Sequence, residues 1–195
     1  MLDDLSEKLI THSVRGAWRA PLAVAGRPVR LACGRVPGQI VPAGAGDVAR
    51  ALDSTVQARD ALTDPARWLA VLDSARPAIE AALADAQRQE RGDVGSFVLP
   101  PGTAPGTDRP LAILMPAALA PASQLDILRR ALAAARPVIL KPAPGGAVAA
   151  TVLMDHLHRL DLPPGAVTML QGDGPGTGAL LQATREMDAW RITAP

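Results

Sequence analysis

Tyrosine is absent from this 195-residue chain, phenylalanine occurs once and tryptophan three times. Alanine, arginine, proline and glycine fill the space, a skew that looks like codon bias more than function. A single cysteine, Cys33, excludes a disulfide scaffold and makes a reducing cytoplasm the expected setting. Neither sign of charge is in excess. Twenty Lys and Arg against 19 Asp and Glu leave a net +1, which gives no electrostatic case for nucleic acid or an acidic membrane. Long apolar runs are also missing, since Pro or a charge breaks each within about a dozen residues, too few to cross a bilayer. Met1-Leu-Asp-Asp-Leu5 has no basic stretch before an apolar core, so no signal peptide is expected. Nor is a metal site: His156 and His158 diverge by about 200° on a helix, and His12 has no ligand nearby. Glu7, Glu80, Glu90 and Glu186 sit singly on expected helices and read as solvated faces.

What is present points to one α/β domain over 1–195, long enough for one sizeable core but not comfortably for two. Its clearest part lies between Arg136 and Pro195. Pro137-Val-Ile-Leu-Lys141-Pro142 is a short, β-branched apolar run closed by proline, which suits a buried parallel strand. After the loop Ala143-Pro144-Gly145-Gly146, apolar residues recur at helical spacing from Ala147 to Leu160 until Asp161-Leu-Pro-Pro-Gly165 forbids continuation. A second strand, Ala166-Val-Thr-Met-Leu170, leads to the turn Gly172-Asp173-Gly174-Pro175, a helix from Gly176 to Thr184, and a third strand, Trp190-Arg-Ile-Thr193. This is a βαβαβ unit, whose crossovers make the strands parallel and place helices on the sheet faces.

Upstream, the segments Val29 to Cys33 and Gly38 to Val41 precede Asp47, which reads as the N-cap of a helix running to Leu62. Pro110-Leu-Ala-Ile-Leu-Met115 is another buried strand, and Ser123 caps the helix that carries Leu125, Leu128 and Leu132. Between Gln89 and Asp108 the chain turns to Gly, Pro and Thr.

The order Val138-Ile-Leu-Lys-Pro142, Leu162-Pro-Pro-Gly165, Gly172-Asp-Gly174 and Arg191-Ile-Thr193 resembles the aldehyde dehydrogenase superfamily. Its members carry V-L-K-P-S-E, L-P-P-G, G-x-G and F-T-G-S at these places. The resemblance implies a Rossmann-like open parallel sheet with helices on both faces, an N-terminal β-hairpin, and a protruding β-flap over 92–110. That flap would join a sheet of a neighbouring subunit, with Phe97-Val-Leu99 as its sticky strand; otherwise the stretch is a Pro/Gly loop. The family's helical region between Glu80 and Gly92 looks mostly deleted. The extent is similar to the C-terminal aldehyde-dehydrogenase-like domain of long bifunctional proline-catabolism enzymes.

The same resemblance bears on chemistry. The family's nucleophilic cysteine and general base follow the F-T-G-S strand, and this chain stops at Thr193-Ala194-Pro195, so no catalytic residue is expected in it. Cys33 reads as a small buried or turn residue. Ala118 stands where the family's P-W-N asparagine donates to the oxyanion. Lys141 matches the lysine that hydrogen-bonds the adenosine ribose, either as a ligand or as a plain strand-end lysine. Its glutamate companion is replaced by Pro144, which removes repulsion against a 2′-phosphate and tilts any weak binding from NAD towards NADP. Gly172, Gly174 and Gly178 read as phosphate contacts or as turn and packing glycines. The expectation is a non-catalytic domain that forms a homo-oligomer or binds a dehydrogenase partner through the flap. The alternatives are a weak NADP- or NAD-binding module and the cofactor half of a split enzyme.

Overall fold

The computed structural model describes residues 9–22, 25–93, 95–99 and 109–193. Its strands are β1 (Leu9–Ile10), β2 (His12–Val14), β3 (Ala17–Arg19), β4 (Arg27–Val29), β5 (Gly38–Ile40), β6 (Leu111–Met115), β7 (Val138–Pro142), β8 (Val167–Met169) and β9 (Asp188–Arg191). The helices are α1 (Ala45–Arg59), α2 (Pro65–Arg91), α3 (Pro121–Ala133), α4 (Ala147–His158) and the short α5 (Ala179–Ala183).

All five residues of β6 and all five of β7 are buried, as strands covered on both faces must be. They pair in parallel, Leu111 against Val138, and β8 and β9 flank them to give the order β8-β7-β6-β9. Right-handed crossovers then decide the layers. Moving from β6 to β7 to β8 keeps α3 and α4 on one face, where Leu140, Leu128 and Leu153 share the main core with Leu72 and Leu83 of α2. The return from β8 to β9 reverses direction and places α5 on the other face with α1, where Ile139, Ala112, Ala51 and Leu181 meet.

To this parallel core β2 adds antiparallel beside β8, and β3 folds back on β2. Arg15 and Gly16 both have positive φ, at 57° and 68°, which is the two-residue turn whose twist suits a hairpin. A second, three-stranded sheet has the order β1-β5-β4. The hairpin expected from Val29–Cys33 and Gly38–Val41 is present as β4 and β5 with its first strand shifted: β4 ends at Val29, and Cys33 is exposed in the turn.

Two local expectations need correction. Asp47 is not the N-cap of α1. Gly44 is, and Asp47 lies three residues in, accepting the Gly44 N–H at 3.2 Å. Ser123 is not the cap of α3 either, because Pro121 can open a helix without its N–H. The Ser123 hydroxyl instead accepts the backbone N–H of Leu99 at 3.0 Å. The residues that remain from Glu80 to Arg91 belong to α2, which runs unbroken through Pro77 and buries Ile79, Leu83 and Ala86.

Gly165, at φ 95°, brings the Pro163-Pro164 turn against α1. A Cβ there would lie 2.3 Å from the Ser54 carbonyl oxygen. Gly165→Ala is expected to cost at least about 2 kcal/mol, combining strain with a forced backbone shift. Urea denaturation measures it, and an unchanged midpoint would refute the packing described.

Candidate functional site

In a doubly wound sheet, ligands bind beyond the carboxyl ends of the strands where the strand order reverses. Here that reversal falls between β6 and β9. The loops at this edge are Pro116 to Ala120 after β6, Ala143 to Gly146 after β7, and Leu170 to Gly178 after β8.

Lys141 is at the end of β7, 4% exposed, on the same side of the strand as Ile139. Among the described residues it makes no hydrogen bond or ion pair. Burial holds its pKa below the ordinary lysine value; the nearby Asp173 charge opposes this and Arg191 adds to it. An ammonium so placed is costly to the fold and available to an acceptor from outside. Pro144 and Gly145 form one wall of a cleft of about 250 Å³ whose other wall is the β4–β5 hairpin, including Arg27 and Ile40. Arg27 reaches across it to the Asp173 carboxylate at 3.1 Å.

The three glycines have different surroundings. Gly172 is packed, since a Cβ would fall 1.9 Å from the Thr177 hydroxyl, which itself donates to the Ala43 carbonyl. Gly178 donates its N–H to the Asp173 carbonyl, closing a π-helical turn, and a Cβ there would lie 3.2 Å from Leu114. Around Gly174 there is open space. Asp173 caps this turn by accepting the Gly176 N–H at 2.7 Å. A carboxylate thus occupies the mouth of the loop, beside the amide groups that a phosphate would use.

Beneath the loop lies a polar set that the sequence did not reveal. His12 is fully buried, and its Nδ1 accepts the Gln171 backbone N–H at 3.1 Å. That bond assigns the proton of the neutral ring to Nε2, which faces Asp47 at 3.8 Å without a hydrogen bond. Burial lowers the His12 pKa to about 4, against the opposing pull of Asp47, with Arg50 lowering it further. Asp47 is held by Arg50 at 2.6 Å.

The loop after β6 is tied down from several sides. Ala118 accepts the Phe97 N–H through its carbonyl, and Phe97 accepts the Ala120 N–H in return. Gln87 and Gln124 both donate to the Leu119 carbonyl, and Arg91 to that of Ala117. Phe97 and Leu99 direct their side chains onto the main core, while Val98 is 71% exposed. The strand expected to be sticky thus spends two of its three side chains on its own domain. Residues 100–108 of the expected flap lie outside the described residues, as do Ala194 and Pro195.

Glu90 is a correction. It is 4% exposed, and its carboxylate accepts the N–H groups of Val148 and Ala149 at 3.2 and 3.1 Å, capping α4 from the end of α2. Burial still raises its pKa, outweighing the bonds to Ala149, Val148 and Ala147. No cluster of three or more ligating side chains occurs among the described residues. Nor is any helix there long and apolar enough to cross a membrane.

Residues 123–194 match the model of the aldehyde dehydrogenase family. No curated protein matches the chain. Solved structures of similar shape include an aldehyde dehydrogenase from Bartonella henselae, 16% identical with a TM-score of 0.75, covering 91% of this chain and 45% of that one. A variant of aldehyde dehydrogenase C from Pseudomonas syringae, solved with NAD+ and octanal, is 19% identical with a TM-score of 0.75, over 98% of this chain and 46% of that one. An indole-3-acetaldehyde dehydrogenase without ligand gives 17% identity and a TM-score of 0.77, over 93% and 52%. The chain therefore has the α/β, Rossmann-like fold of about half of an aldehyde dehydrogenase and spans about half the length of these structures.

The buried His12 yields a pH dependence. Its pKa is lowered from 6.5 to about 4, so its neutral form supports the fold fully above pH 6.5 and that support is lost as pH falls towards 4. The loss is on the order of 3 kcal/mol. Glu90, with its raised pKa, works in the opposite direction. Urea denaturation at a series of pH values should show this slope reduced in His12→Gln, whose amide retains an acceptor for Gln171. Parallel curves for the two proteins would contradict it.

Proposed function

We propose that this chain is a non-catalytic aldehyde-dehydrogenase-like domain that works by association, with a second copy of itself or with a full-length dehydrogenase. The observation that carries the reading is Ala118. In the resembled family an asparagine at this point donates a hydrogen bond to the oxyanion formed when a thiolate attacks the aldehyde. A methyl group has no donor, and the Ala118 carbonyl is already committed to Phe97. The loop is fastened at Ala117 and Leu119 as well, so a water or a neighbouring amide is poorly placed to fill the role. This also weighs against the cofactor half of a split but working enzyme, since such a half would supply that donor.

Association is a use of the fold that needs no catalytic residue, and Val98 is the most exposed large apolar residue among those described. Sedimentation velocity tests the reading, with the chain alone and mixed with a full-length aldehyde dehydrogenase from the same source. The expected result is a dimer or larger species, or a mixed complex, which Val98→Asp weakens by about tenfold or more. Non-interacting monomers in both experiments would sink it. No aldehyde oxidation with NAD or NADP is expected from the chain alone.

A second reading, a weak dinucleotide-binding module, is favoured by Lys141, a buried lysine without an acceptor among the described residues. Pro144 in place of an acid makes NADP the better ligand. Calorimetric titration should show NADP binding that Lys141→Met abolishes, while the substitution leaves stability unchanged or raises it by about 1 kcal/mol through loss of a buried charge. Silence up to millimolar NADP and NAD would end this reading.

A further inference from the structure

The two sheets leave a groove between them, floored by the outer face of α4. Val148, Thr151, Val152 and Asp155 recur at helical spacing along that floor, with Ile10 of β1 and Trp18 of β3 as opposite walls. Its volume is about 360 Å³, within the range of small-molecule sites, and its lining is mainly apolar.

One end of the groove is charged. Asp155 Oδ1 accepts the Trp18 indole N–H at 3.2 Å, which fixes the ring beside the carboxylate. Asp155 has no cationic partner among the described residues: its one hydrogen bond is to that indole. His158, one turn on from Asp155, stands edge-on to Trp18 at 5.2 Å between ring centroids, and its Nε2 is engaged by the Ser13 hydroxyl at 2.8 Å. Burial lowers the His158 pKa against the pull of Asp155, which disfavours its cationic form. An indole ring, an unpaired carboxylate and an apolar trough together are complementary to an organic cation. A cation gains from the carboxylate, and from the ring quadrupole where it lies over the indole face; a neutral alcohol of equal length gains at most a hydrogen bond, and an anion is repelled.

We propose that this groove binds an alkylammonium, its charged head beside Trp18 and Asp155 and its tail along Val152, Val148 and Ile10. The site does not rest on the dinucleotide reading, because it uses none of the residues assigned to that role.

The probe is n-pentylammonium, with 1-pentanol and pentanoate as controls of the same length. The Trp18 indole N–H signal, identified by its absence in Trp18→Phe, reports binding by NMR. A saturable shift is expected with pentylammonium, and affinities at least about tenfold weaker for the alcohol and the acid. Asp155→Asn, which retains an acceptor for the indole, should bring pentylammonium down to the level of the alcohol. Val152→Phe, which fills the floor, should block all three while leaving the Trp18 signal in place. Equal affinity for the three probes, or no saturation by pentylammonium, overturns the proposal whether or not the Asp155 variant folds.

Discussion

The carboxylate of Glu90 joins parts of the molecule that nothing else in its neighbourhood could join so economically. A helix that follows a buried strand begins with bare amide groups, and in α4 the preceding Gly146 has no side chain to satisfy them. Glu90 brings its acceptors from the last turn of α2, where a negative charge also complements the positive end of the α4 dipole. The consequence is geometric. With the end of α2 fixed to the start of α4, the turn Ala143 to Gly146 has a defined position, and so does the cleft that Pro144 borders.

From there the rim is built inwards. Gln87, one turn before Glu90 on α2, holds the Leu119 carbonyl, and Arg91 that of Ala117. One helix end therefore sets two of the three loops at the carboxyl edge of the sheet. The third, after β8, is set from the opposite side by His12 and by Thr177 against Gly172. The outcome is an edge whose main-chain groups are mostly satisfied by the protein itself. Lys141 and the open space around Gly174 are the exceptions.

How much of this could be read from the sequence depends on where each signal resides. β6, β7, α4 and β8 were legible because burial on both faces forces continuous apolar runs, and the Pro-Pro-Gly punctuation marks their ends. The order of the strands was not legible, because crossover handedness fixes the faces on which helices lie and not which strands are neighbours. The full length of α2 was not legible, because Pro77 suggests a break that tertiary packing overrides. β2 and β3 are three residues each, and their turn, Arg15-Gly16, lacks the usual asparagine or aspartate. Glu90 was misjudged, and the buried role of His12 passed unseen, for a common reason. Their roles come from groups 58 and 159 residues distant in sequence, and no local pattern records such a partner.

That last separation has a consequence for the order of folding. β2 meets its sheet partner Met169 only when a loop of about the 159 residues that separate His12 from Gln171 has closed. Closing a loop of this size costs entropy before any contact compensates it, so the β2–β3 hairpin is expected to dock late. The four-stranded parallel core closes shorter loops, because β6 and β9 meet with Leu111 opposite Asp188. Assembly is therefore expected to run outwards from that core.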